Sequence, residues 1–218
     1  MHLRYEEWLQ HVFDHPVSDP AWYWGDDAPS FEADEAEIAE LIENTFLNPG
    51  RDLARYSDAQ VNQGIWYVAS MSCSDYIWSL NNPGVPLEGR LSAIASIATL
   101  YRDCFALRCT RTLSHLDEQP CSPLNGSCYM FWDISALTNI QDEANEAAIA
   151  GACFSVLSEM LAIDHPACQE AAIHGYLEFQ YSHPEQVAAA MDSFLQEMPI
   201  ADPRLKTYAM QARSGYGL

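Results

Sequence analysis

The chain has a single lysine, Lys206, and ten basic residues in all against 31 acidic ones. That shortage excludes the broad positive surface on which nucleic-acid phosphates or anionic lipid headgroups are held, so no nucleic acid and no membrane surface is an expected partner. Phosphate-cradling glycine loops are missing, as are a nucleophile elbow and a His-Glu-x-x-His helix. Their absence removes the commonest signatures of nucleotide binding, serine hydrolysis and zinc peptidase chemistry. No stretch alternates apolar and polar residues with a period of two, so strands are not expected. The longest uncharged apolar run, Ala147 to Ser158, is too short for a hydrocarbon layer of about 30 Å. Met1 to Glu7 lack the charged-then-apolar order of a leader peptide. The seven cysteines are odd in number and lie largely inside apolar helical patterns. Reduced thiols packed as small hydrophobes are expected, and with them a cytoplasmic location.

What is present suits one helical domain over 1–218. A hydrophobic fraction of 49% over 218 residues suffices for a sizeable core. The formal net charge is −21. Residues 1–58 carry 14 acids against Arg4, Arg51 and Arg55, a net −11, whereas the longer remainder carries −10. Negative charge gathered at one end attracts cationic partners more specifically than charge spread for solubility.

Helical spacing of apolar residues dominates. Leu3 to Phe13 is expected as an amphipathic helix stopped by Pro16. Residues 14–33 form a loop, and Asp34 with Glu37 caps a helix that Asn48-Pro49-Gly50 stops. Ser57 opens a helix from Asp58 to about Leu80, ended by Asn81-Asn82-Pro83-Gly84. Leu87 to Leu107 follows, uncharged from Leu91 to Tyr101. A further helix runs from about Asp142 to Ile163, and both uncharged stretches are expected to be covered on most sides. His165-Pro166, His183-Pro184 and Asp202-Pro203 recur at nearly equal spacing, each opening a helix with proline in its first turn.

That period of one helix plus a tight turn, with Ala167-Cys168-Gln169-Glu170-Ala171-Ala172-Ile173-His174-Gly175-Tyr176-Leu177, resembles HEAT-like α-hairpin repeats over about 142–218. Tyr56-Ser57-Asp58-Ala59-Gln60-Val61-Asn62-Gln63-Gly64 and Leu113-Ser114-His115-Leu116-Asp117-Glu118 resemble a group of helical bacterial proteins with no assigned activity. Together these likenesses imply an all-α fold of about nine or ten helices, irregular at the N-terminus and then a stack of antiparallel hairpins with one concave face.

Chemistry-bearing constellations are few. His11 and His15 stand four apart, but Pro16 takes His15 out of the helix, so a shared metal ion is not expected. Between Cys104 and Cys128 lie Cys109, His115, Asp117, Glu118 and Cys121. No Cys-x-x-Cys knuckle occurs there and the spacings fit no zinc module, so no metal and no cofactor is expected. Arg108, Arg111, His115, Asp117 and Glu118 either anchor this loop to the helices or line a polar pocket, where an enzyme site, metal-dependent or hydrolytic, would fall. Trp22, Tyr23, Trp24, Asp26 and Asp27 either seal one end of the bundle or grip the cationic side chains of a partner. Asn62, Gln63, Trp66, Tyr67, Asp75 and Trp78 are expected on one helix, and Asn125, Trp132 and Asp133 on a short helix after the loop. His174, flanked by apolar residues, reads as a core histidine. The expected function is recognition of a basic protein through an acidic surface, in an inhibitor or immunity-type role.

Overall fold

The computed structural model describes residues 3–25, 27–115, 121–197 and 202–215. Among these residues there is no strand, and nine helices have eleven or more residues. They are α1 (Leu3–Phe13), α2 (Glu35–Leu47), α4 (Asp58–Ala69), α5 (Leu87–Leu100), α7 (Leu124–Ile134), α8 (Glu146–Leu161), α9 (Pro166–Glu178), α10 (Pro184–Glu197) and α11 (Pro203–Ser214). A single-turn helix, α3 (Pro49–Asp52), follows α2, and α5 continues through a π-helical turn at Tyr101–Phe105 into α6 (Ala106–Arg108). The expected all-α architecture is what forms.

The caps explain the boundaries. The backbone N–H of Glu37 donates to the Asp34 side chain at 2.8 Å, and Ser57 and Gln60 form a reciprocal capping box ahead of α4. Pro166, Pro184 and Pro203 each occupy the first helical position, as the repeated dipeptide requires. Gly215 closes α11 at a φ of 74°, in the left-handed region that favours glycine.

Two expectations need correcting. The helix from Asp58 ends at Ala69, and Asp75 and Trp78 therefore do not share it. The Ser74 hydroxyl donates to the carbonyl of Tyr67 at 2.6 Å, and Ser72 N donates to the Ser70 hydroxyl oxygen. These local bonds turn the chain before a 3₁₀ helix at Tyr76–Leu80. The uncharged face of α8 is also less covered than expected, because Ala147, Ala148, Gly151, Ser155 and Ser158 face solvent. Their small side chains remove the charge without requiring a covering layer.

Packing runs α1 on α4, α4 on α7, α2 on α5, α5 on α8, and both α7 and α8 on α9, while α11 lies against α9 and α10. One hydrophobic core extends from Tyr5 to Ala212. Its middle is α9, buried at every position from Ala167 to Tyr176 except Gln169. Two ionisable residues, Glu170 and His174, thus lie in the most enclosed helix. Gly175 is required there, because a Cβ would come within 2.5 Å of Leu157 and 2.8 Å of Trp132. No helix among the described residues is long and apolar enough to cross a membrane.

Candidate functional site

At the N-terminal end the aromatic loop divides its roles. Trp22, Tyr23 and Trp24 form one 3₁₀ turn. Trp22 stacks on His15 at 3.7 Å and Tyr23 on Tyr67 at 5.3 Å, so both rings fold back onto the helices. Trp24 turns outward and is 55% exposed, and Asp27 is exposed as well. Asp26 lies outside the described residues. His11 is enclosed by Trp22, Phe31, Tyr67 and Tyr76. Loss of water around the ring, helped by the neighbouring His15, pulls its pKa down to about 4. At neutral pH it therefore adds no positive charge to this end. His15 Nε2 lies 2.6 Å from the carbonyl of His11, and the two rings meet edge to face with centroids 6.4 Å apart.

The N-terminal arginines neutralise only part of the acidity. Arg4 pairs with Glu37 at 2.7 Å and Glu7 at 3.6 Å, Arg55 with Glu6 at 2.6 Å, and Arg51 with Asp52 at 2.6 Å. Asp27, Glu32, Asp34, Glu35 and Glu40 stay exposed with no ion pair among the described residues. Glu40 stands on the outer ridge of α2 between two shallow grooves. One, of about 230 Å³, is lined by Arg4, Tyr5, Glu37 and Asn44; the other, of about 260 Å³, by Ala36, Glu43, Val85 and Gly89.

Of the residues expected to cluster around the 104–128 loop, Arg108, Arg111 and His115 each engage different partners. Arg108 reaches Asp58 at 2.8 Å and the carbonyls of Leu53 and Tyr56, tying α6 to the start of α4. Arg111 donates to the carbonyl and carboxylate of Asp164, at 2.6 and 3.1 Å, at one wall of a cleft of about 560 Å³ before α9. His115 meets the Tyr129 hydroxyl at 2.9 Å. Asp117 and Glu118 lie outside the described residues. The two arginines anchor the loop to different parts of the fold. Of the loop thiols, Cys104, Cys109 and Cys128 are buried and Cys121 is exposed.

A second polar centre surrounds α9. Glu170, fully buried, accepts the backbone N–H groups of Ser114 and His115 at 2.5 and 3.1 Å and so fastens the loop. One turn further on, His174 is 4% exposed, and its Nδ1 lies 2.9 Å from the Tyr208 hydroxyl and 3.3 Å from that of Tyr129. Its Nε2 is buried without a hydrogen-bond partner among the described residues. Ligand atoms of Asp133, His174 and Glu178 all lie within 4.8 Å of one another. Burial holds the His174 pKa below its ordinary value, against the pull of Asp133. Burial, with the charge of Asp133, raises that of Glu178.

Sequence reasoning passed over Tyr129, Glu170, Glu178 and Tyr208, and placed Asp133 on its short helix without a role. A signal was present. Glu170, His174 and Glu178 recur every four residues, which sets three ionisable groups on one face of a helix with apolar flanks. Only the packing of α7 on α9 adds Asp133 to them. No protein-family model, curated protein or solved structure matches the chain.

Proposed function

We propose that the chain is a binding module for a basic protein, in an inhibitor or immunity-type role, and that its contact face is the loop 27–35 together with the outer ridge of α2. The observation that carries this reading is the group of exposed carboxylates Asp27, Glu32, Asp34, Glu35 and Glu40, without an ion pair among the described residues, in the same N-terminal segment as the outward-facing Trp24. Such a field steers a cationic surface into place, and an exposed indole offers it an apolar and cation–π anchor. The grooves flanking Glu40 give room for the apolar stems of arginine or lysine side chains. The HEAT-like reading of α8–α11 belongs to the same proposal, as the support behind that face.

The test compares charge removal at two places. A cationic Arg/Lys-rich helical peptide is titrated by calorimetry into wild type, into a Glu32→Gln/Glu35→Gln/Glu40→Gln variant, and into a Glu143→Gln/Glu159→Gln/Glu185→Gln control. All six positions are exposed. The first variant should lose about tenfold or more in affinity, with a shallower salt dependence, and the control no more than about twofold. Equal losses in both would show diffuse attraction and end the proposal.

A second reading, an enzyme with its site near the 104–128 loop, has one observation in its favour: the contact of His115 with Tyr129 links that loop to His174.

A further inference from the structure

We infer that Asp133, His174 and Glu178 form a binding site for a divalent transition-metal ion of the Zn²⁺ class, built between α7 and α9. Three observations independent of the acidic N-terminal face support it. First, the ligand atoms of the three side chains already lie within 4.8 Å of one another. A tetrahedral ion with bonds of about 2.1 Å needs its ligands roughly 3.4 Å apart, so a contraction of about 1.4 Å at most completes the set. Asp133 is exposed and Glu178 half-buried, and rotation of those two side chains supplies the movement.

Second, His174 is 4% exposed and its Nε2 has no hydrogen-bond partner among the described residues. A buried ring nitrogen in that condition is costly unless something fills its place. The other nitrogen is committed. With Nδ1 protonated and donating to the Tyr208 oxygen at 2.9 Å, Nε2 presents its lone pair, which is how metal-ligating histidines are usually held. Tyr129 lies within reach of both the Tyr208 hydroxyl, at 3.4 Å, and His115 Nδ1, at 2.9 Å, so the orienting hydroxyl is itself supported.

Third, neither Asp133 nor Glu178 has an ion-pair or hydrogen-bond partner among the described residues, although the two carboxylates face each other. Two adjacent negative charges without a cation repel, and a divalent ion balances both. One imidazole and two carboxylates form a mixed nitrogen–oxygen set that suits zinc, iron or manganese and gives no preference to copper(I), which favours sulfur. Three protein ligands leave a fourth tetrahedral position open to water, as in zinc sites that act on substrates and unlike closed structural sites.

The experiment uses the full chain after chelator treatment. Zn²⁺ is titrated by calorimetry and Co²⁺ by visible absorption, in wild type and in Asp133→Asn, Glu178→Gln and Tyr208→Phe. Circular dichroism checks that each variant is folded. One equivalent of Zn²⁺ should bind saturably at micromolar concentration, with Asp133→Asn and Glu178→Gln each weakening it about tenfold or more and Tyr208→Phe, a positioning residue, about tenfold. The Co²⁺ spectrum should show d–d bands without an intense near-ultraviolet thiolate transition. Absence of saturable binding, binding that ignores both carboxylate substitutions, or a thiolate-dominated cobalt spectrum would each overturn the assignment.

Discussion

Adding one methyl group at Gly175 tests the α7–α9 interface on which the polar centre depends. A Cβ there would sit 2.5 Å from Leu157 Cδ2, 2.8 Å from Trp132 Cγ and 2.9 Å from Trp132 Cδ1. Ordinary contacts begin near 3.4 Å, so Trp132 or Leu157 must retreat by about 0.5–1 Å within a close-packed interior. Both side chains are completely buried. Overpacking costs about 1–3 kcal/mol, and three contacts under 3 Å, two of them to the rigid Trp132 ring, place this one at about 2–3 kcal/mol, while alanine in place of glycine in a helix interior returns about 1 kcal/mol. The net for Gly175→Ala is a loss of about 1–2 kcal/mol, or a Tm lower by roughly 2–8 °C for a chain of this size. Gly151, inside α8 and exposed, has nothing within 4 Å of an added Cβ. Gly151→Ala should therefore stabilise by about 0.5–1 kcal/mol, through helix propensity and unfolded-state entropy alone. Urea titrations of the two variants should move the midpoint in opposite directions without changing the slope. If Gly175→Ala is neutral or stabilising, the close approach of α7 and α9 is wrong, and the grouping of Asp133 with His174 goes with it.

Acidification probes the other end of the chain. His11 falls from an ordinary value near 6.5 to about 4, so between those pH values the unfolded chain binds a proton that the native state refuses, and stability drops as pH falls. By pH 5 this amounts to about 2 kcal/mol in full and about 1 kcal/mol after allowance for partial solvent access. Urea unfolding at pH 7 and pH 5 should show wild type losing that much more than His11→Gln; equal losses would contradict the buried neutral ring. In the core, Arg90 and Asp142 form an enclosed pair at 2.8 Å. Arg90→Met should destabilise more than Arg90→Met/Asp142→Leu, because the single change strands a buried carboxylate, and a denaturation cycle showing simple additivity would refute this. A thiol reagent followed by peptide mapping should label Cys121 first, with Cys104, Cys109, Cys128, Cys153 and Cys168 reacting only after unfolding. Fast labelling of any of those five under native conditions would contradict their burial.

Helix starts were legible where a single residue decides the backbone. Asp34, Ser57 and the prolines at 166, 184 and 203 act locally, through a side-chain acceptor for an orphan N–H or a fixed φ, and the helices begin where these residues stand. The end of α4 was not legible, because Ser70, Ser72 and Ser74 compete with the helix through weak local bonds that apolar periodicity does not register. The exposed face of α8 misled for a related reason: alanine, glycine and serine look buried by lack of charge and are simply small. Trp22 and Trp24, two residues apart in the same sequence context, part company because one stacks on the His15 ring and the other touches only the edge of neighbouring Tyr23 among the described rings.

The polar centre was hidden for a deeper reason, which also argues for its use. A helix as enclosed as α9 can hold an ionisable side chain only if another part of the fold answers it. Glu170 is answered by the backbone N–H groups of Ser114 and His115, and no pattern along α9 announces which loop will supply them. His174 is answered at one nitrogen by Tyr208, from the last described helix, and at the other by no described residue. The same helix thus treats two buried groups differently. His174→Leu removes an unsatisfied nitrogen but also the partner of the buried Tyr208 hydroxyl at 2.9 Å, so stability without added metal does not distinguish a core histidine from a ligand. Under the metal-site reading the substitution abolishes the rise in Tm that Zn²⁺ gives wild type. Thermal melts of the two proteins with and without Zn²⁺ separate those cases, because a core histidine predicts no zinc-dependent rise in either.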